Sequence, residues 1–423
     1  MFNHWGKIRL PRGWSQVGLI VWLLMLMACG PGDAPHPTVT PPELPFGQLE
    51  PSPETAGQDR PFDLTPTTLT PPPAILITPR PVRDVSKHEV LESLTDEVII
   101  PRFQALALEL EGLSRSLSAL CDAPDEANLL AAREHWRLAR TQWKRSEVLW
   151  FGPVMQRRSW QWIEGVAPDR ERIEEMLLEQ ERIDANWVRD FLGTTQVGLM
   201  AIEYLLFGED AATLHALGDA GSSRCQYLEA LGQVAATEGG LILDDWTGAG
   251  ASESAYADVF NGNAPRSLNE NQAMAEPVRH MVFLLREITA MTWGVAVGGN
   301  GGELVPAAIP GGEAQHAAAD LRSQLMGIQE IYLGAEGGDP GLGMGDIIRQ
   351  FSVEIDQGII YSLQLALEVV DEVEEPVGSS ILENPAPARL VVDRVITLQQ
   401  ILNTEVSSLL NVSIGFNDRD GDS

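Results

Sequence analysis

Beyond residue 85 the chain reads as all-α, with two helical bundles packed together, and three patterns carry that expectation. Apolar residues recur at helical spacing through Leu91, Leu94, Val98, Leu106, Leu110, Leu113, Leu117 and Leu120. Trp136, Trp143 and Trp150 repeat every seven residues, which places three large rings on one helix face. Ile347, Phe351, Ile355 and Ile359 form a further inward stripe at intervals of four. No long stretch alternates apolar and polar residues as a half-buried strand would.

The amino-terminal segment has a different character. Lys7, Arg9 and Arg12 precede an apolar run from Val17 to Met27 and then Ala28-Cys29-Gly30, the layout of a secretory signal over residues 1–28. The run is shorter than the roughly 20 residues an ordinary membrane helix needs. Leu26-Met27-Ala28-Cys29 resembles a lipobox, so Cys29 is expected to be acylated and to tie the mature chain to a membrane. Plain secretion and an uncleaved anchor are the alternatives. Gly30, in place of an aspartate, argues by resemblance to bacterial lipoproteins for the outer membrane, facing the periplasm or the surface. Residues 29–85 are rich in Pro and Thr, as in Thr70-Pro71-Pro72-Pro73, and such a composition buries too little apolar surface to offset ordering. They predict a disordered stalk.

The first bundle is expected over residues 86–220. Ser86-Lys87-His88-Glu89 fits a capping box, and Pro101 should kink the helix behind it. A second helix should run from Pro124 to Trp150, stopped by Gly152-Pro153. Helices are expected across Arg170 to Phe191 and Gln196 to Phe207, the latter ended by Gly208. The second bundle, residues 221–423, draws on Cys225 to Ala236, Leu268 to Trp293, Ala314 to Tyr332, Asp346 to Val370 and Leu390 to Leu410. An oxidising envelope would permit a bridge between Cys121 and Cys225, but Cys121 closes one helix and Cys225 opens another, and a simple up-down bundle need not bring them together.

Two acids stand out because they fall on apolar faces. Glu203 shares a helix face with Leu199 and Leu206, and Glu147 lies four residues after Trp143 and three before Trp150. A buried carboxylate left unpaired costs several kcal/mol or takes up a proton, so each calls for a metal ion, a cation or a second acid. The bland reading is burial against arginines such as Arg137, Arg140, Arg157 or Arg158.

Gly198-Leu199-Met200-Ala201-Ile202-Glu203 resembles the G-x-H-x-x-E motif of the imelysin-like family, also grouped as M75 peptidases and including periplasmic iron-uptake components. Gly198 and Glu203 match that motif, while Met200 stands at its histidine position. The tryptophan helix with Glu147 and Trp150-Phe151-Gly152-Pro153 resembles the family's preceding helix. The tail from Ser413 to Asp422 resembles the ending of one lipoprotein branch. The resemblance implies two helical bundles and a metal site near their interface, here with Glu203 and Glu147 as the ligand candidates. Iron, zinc and calcium suit such oxygen donors, whereas the thioether of Met200 suits soft copper(I) and cannot act as a base.

The formal net charge of −31 makes nucleic acid an improbable partner, because phosphate binding needs a basic surface. After the leader only Lys87 and Lys144 remain as lysines. No H-E-x-x-H, Gly-x-Ser-x-Gly or phosphate-binding glycine loop occurs. The tail Asn417-Asp418-Arg419-Asp420-Gly421-Asp422 has the flavour of a calcium loop without its closing glutamate. The expectation is a non-catalytic envelope lipoprotein that binds an unknown small ligand or metal, linked to uptake of iron or another metal. An M75-type metallopeptidase and a scaffold that has lost the metal site are the alternatives.

Overall fold

Ser86 begins the first helix as its sequence requires. Its hydroxyl accepts from the Glu89 amide while the Glu89 carboxylate accepts from the Ser86 amide at 2.8 Å, capping α1, Lys87–Leu94. α1 passes through a π turn, Thr95–Ile99, into α2, Ile100–Asp122. The widened turn lies directly before Pro101, so the helix absorbs the ring and the missing amide hydrogen without ending. The computed structural model describes residues 80–218, 221–249, 254–309, 312–335 and 341–412, all within one compact unit, Pro71–Ser423. The leader, Cys29, the stalk as far as residue 79 and the tail from Ser413 lie outside the described residues.

Asp125 caps α3, Glu126–Arg145, by accepting from the Asn128 amide at 2.8 Å. This helix ends before Trp150, because the Ser146 hydroxyl turns back to the Trp143 carbonyl at 2.7 Å and Glu147–Leu149 tighten into a 3₁₀ turn. Short helices follow: α4, Pro153–Arg157; α5, Trp160–Ile163; α6, Arg170–Glu179; α7, Ala185–Phe191; α8, Gly198–Leu206; and α9, Asp210–Leu217. The stretch from Arg170 to Phe191, expected to be helical, thus holds two helices. Asp184 starts the second by accepting from the Trp187 amide at 3.0 Å.

Next come α10, Ser223–Thr247; α11, Tyr256–Phe260; α12, Glu270–Arg286; α13, Trp293–Ala296; and α14, Ala317–Leu333. The chain closes with α15, Met344–Phe351; α16, Val353–Val370; α17, Val377–Glu383; α18, Ala386–Ile401; and α19, Ser407–Leu410. No strand occurs among the described residues, and none of their helices is long and apolar enough to cross a membrane. Ser352 divides the stripe expected from Ile347 to Ile359, its hydroxyl accepting from the Ile355 amide to cap α16. The break changes register, so Phe351 is 60% exposed while Ile347 and Ile359 stay in the core.

The first bundle is built on α2, α3, α8 and α10, and the second on α12, α14, α16 and α18. α10 lies along α2 and against α7 and α8, so the first bundle extends past the boundary expected at residue 220. The expected stalk end at residue 85 also moves. Arg80 donates to the Leu333 carbonyl at 3.1 Å and Gln350 to the Val85 carbonyl at 2.8 Å, which ties residues 80–85 to the second bundle. α3 and α14 join the bundles at a close crossing. A Cβ added at Gly327 would sit 2.2 Å from the Arg145 carbonyl oxygen, so only glycine lets the two backbones approach this far.

Candidate functional site

The α3–α14 crossing buries charge as well as rings. Arg140 and Lys144 lie one turn apart on α3, 1% and 6% exposed. Such cations survive burial only with hydrogen-bonded counter-charges. Arg140 Nε donates to Asp320 Oδ2 of α14 at 2.9 Å, with Nη2 2.8 Å from the same oxygen but off the hydrogen-bond axis. Its Nη1 donates to Glu164 Oε1 at 3.2 Å and faces Met200 Sδ at 3.6 Å. Lys144 Nζ donates to Glu164 Oε1 and Glu147 Oε1, each at 2.6 Å, and Gln324, one turn beyond Asp320, donates to the other oxygen of Glu147. The tryptophan stripe is polar at its edge, since Trp143 Nε1 donates to Glu164 Oε2 at 3.2 Å and Trp136 Nε1 to the Leu199 carbonyl at 2.8 Å.

The glycine at the head of α8 positions this cluster. Gly198 has φ +79°, and a Cβ there would fall 2.4 Å from the Glu164 carbonyl carbon. That close approach lets the Met200 amide donate to the Glu164 carbonyl at 3.1 Å, fixing Glu164 against the two cations. One turn on, Glu203 is 4% exposed and its Oε1 accepts from the Ala314 amide at 2.9 Å. Glu203 and Glu147 thus belong to one interior region without bonding to each other. Glu147, Lys144, Glu164 and Arg140 are bonded in series, and Arg140 acts on Glu203 through space.

Three carboxylates, Glu147, Glu164 and Asp320, share the two cations through hydrogen bonds, and Glu203 lies within their electrostatic reach. Burial pushes the Glu147 carboxyl up to about 7, against the pull of Lys144 and with repulsion from Glu164 and Glu287. Burial also acts on Glu164, but Lys144 and Arg140 override it and hold that carboxyl well below the usual range. Glu203 is raised by burial, an effect opposed by the Ala314 amide and Arg140 and reinforced by Asp320 and Glu313. Asp320 Oδ1 is buried without a hydrogen-bond partner. A cavity of about 30 Å³, room for one water or one small ion, is lined by Lys144, Glu287, Thr292, Asp320 and Gln324.

The raised Glu147 carboxyl sets a pH dependence. Between its ordinary value of 4.5 and about 7 the folded chain holds a proton that the unfolded chain has lost, so this contribution to stability falls as pH rises through that window. Urea melts should show a Glu147-dependent loss on the order of 2–3 kcal/mol between about pH 5 and about pH 8. Glu147→Gln should flatten that component, and an unchanged slope would contradict the assignment.

The sequence matches the profile of the imelysin family, peptidase M75, over residues 99–404. The chain belongs to the imelysin family. A curated relative of this imelysin, iron-regulated protein A of Synechococcus elongatus, is 24% identical over 304 residues, covering 70% of this chain and 78% of the relative. The solved structure of a candidate iron-regulated protein A precursor from Parabacteroides distasonis matches with a TM-score of 0.64 at 14% identity, covering 77% of this chain and 94% of that one. An imelysin-like protein from Psychrobacter arcticus matches at 0.62, also at 14% identity, covering 80% and 100%. At such identities the likeness speaks for the fold.

Within this imelysin the motif residues take distinct parts. Gly198 makes the close approach, Met200 lies against Arg140, and Glu203 reaches across to the loop before α14. Of the arginines considered as counter-charges, Arg140 joins the cluster, whereas Arg157 pairs with Glu238 at 3.0 Å and Arg137 with Glu134 at the surface. An imidazole, lacking at position 200, is present on the facing side. His316, at the start of α14, lies 3.3 Å from Thr141 Oγ1 and against the Trp136 ring, and burial lowers its pKa, which favours the neutral form. The donor set does not fit a closed resident metal centre, because Lys144 and Arg140 already hold Glu164 and Asp320. Among the described residues no three His, Cys, Asp or Glu side chains converge to hold a metal ion.

Proposed function

We propose that this imelysin is a lipid-anchored protein of the cell envelope that binds a metal ion or metal chelate as cargo, in acquisition of iron or another metal, and catalyses no reaction. The observation that carries the reading is Asp320 Oδ1, buried without a hydrogen-bond donor and close enough to Glu203 for the two carboxylates to repel. Burial raises the Glu203 carboxyl and repulsion from Asp320 adds to the rise, which a cation placed beside them would relieve. Hard oxygen donors favour iron or calcium, with zinc accessible if His316 turns inward. The relative named iron-regulated protein A supports iron. The lipobox-like Leu26-Met27-Ala28-Cys29 supports the anchor, with the outer membrane as its place.

The test is thermal melting of the full chain with iron, copper, zinc and calcium. One cation or its chelate should raise the melting temperature, and Glu203→Ala should abolish the rise. Mass spectrometry of the chain isolated from cell envelopes should find acyl chains on Cys29. A flat response to every metal would favour a scaffold in which the ion pairs only join the bundles. The peptidase grouping of the family supplies the second reading. Chelator-sensitive cleavage of unfolded substrates, lost in Glu203→Ala, would put hydrolysis ahead of binding.

A further inference from the structure

Cys121 lies in the last turn of α2 and Cys225 in the first turn of α10. The packing of α10 along α2 brings these two helix ends together, which the bare order of helices did not require. The Cys121 thiol donates to the Cys225 carbonyl oxygen at 3.6 Å, which places the two residues directly beside each other. Both are free and buried, 2% and 0% exposed. We propose that Cys121 and Cys225 are a disulfide-forming pair, bonded wherever this chain folds in an oxidising compartment. That the mature protein carries the bond rests on the envelope location proposed above.

The helix ends give the two sulfurs different chemistry. Cys225 sits at the positive end of α10, which favours its thiolate. Cys121 sits buried at the negative end of α2, and both circumstances disfavour its thiolate. Cys225 is therefore the attacking sulfur. Its thiolate displaces one thiolate from a disulfide-bearing oxidant to give a mixed disulfide. Cys121 gives up its proton, attacks the Cys225 sulfur and expels the second thiolate. Two protein thiols are oxidised and one oxidant disulfide is reduced to two thiols. Because both sulfurs are buried in the fold, the exchange belongs to folding, and the finished bond is shielded from reductant. The loop it closes holds Arg140, Lys144, Glu147, Glu164 and Glu203, so the bond would restrain the whole first-bundle side of the site.

The experiment has two arms. In the first, the full chain is unfolded, reduced and refolded in a mixture of reduced and oxidised glutathione, then alkylated and digested. A peptide joining Cys121 to Cys225 is expected, and the refolded chain should lose on the order of 5 °C of melting temperature when reduced. C121S/C225S should melt with the reduced protein and ignore reductant. Two alkylated cysteines after refolding would overturn the proposal. So would a copper or zinc ion held by the thiols and released on alkylation, with no linked peptide. In the second arm the chain is isolated from cell envelopes and alkylated without reductant. A linked peptide supports both bond and location, whereas free thiols there, with linkage on refolding, leave the pair standing and count against the location.

Discussion

Replacing Arg140 with methionine should destabilise the folded protein by about 3–5 kcal/mol, the usual consequence of removing one partner from a buried ion pair. Methionine nearly fills the volume, so the loss would be electrostatic rather than a cavity. Asp320 would lose the contacts at 2.9 and 2.8 Å, and since its Oδ1 already lacks a donor, both oxygens would stand buried and unpaired. Glu164 would keep Lys144 and Trp143 and so suffer less. Adding Asp320→Asn should recover part of the loss. Urea midpoints for the four proteins of this cycle measure the coupling directly. A cost below about 1 kcal/mol would mean that water reaches the crossing and that the region is not dry.

That cluster shows which part of the site could be seen in the sequence. Glu203 and Glu147 were visible because each interrupts an apolar helical stripe, and both are buried. Arg140 and Lys144 left a fainter trace, a basic pair at i and i+4 beside the tryptophans, with Lys144 one of two lysines beyond the leader. Glu164 left none, since it follows the four-residue helix α5, too short for any period to single out one face. Asp320 and Gln324 share the α14 face that meets α3, but that pairing comes from an inter-bundle crossing rather than from local spacing. The helices tell the same story. Long stripes predicted α2, α10, α14 and α18 in outline, whereas the breaks at Ser146, Asp184 and Ser352 arise from single side chains turning onto nearby backbone. The meeting of Cys121 and Cys225 was hidden for the same reason as Asp320. It depends on which helix lies beside which.

Gly198→Ala should be as damaging as the loss of Arg140, for a different reason. Alanine at φ +79° carries a backbone penalty of roughly 1–2 kcal/mol. Its Cβ would also stand 2.4 Å from the Glu164 carbonyl carbon and 2.5 Å from the carbonyl oxygen, contacts that no side-chain rotation relieves. α8 must therefore withdraw from Glu164, giving up the Met200 amide bond at 3.1 Å and drawing Glu203 away from Ala314. The sum should exceed about 3 kcal/mol. Gly193 provides the control. It has φ −97°, and a Cβ there meets nothing within 4 Å, so Gly193→Ala should stay within about 1 kcal/mol of wild type. Urea melts of the two variants test the contrast. If Gly198→Ala were as mild as Gly193→Ala, the interlock with Glu164 would not be what holds α8 in place. The motif glycine would then need another explanation. If instead the variant folds weakly and its response to metal disappears together with that of Glu203→Ala, the glycine and the acid of the motif act as one device. The first would set the helix against Glu164, and the second would use that position to face Asp320.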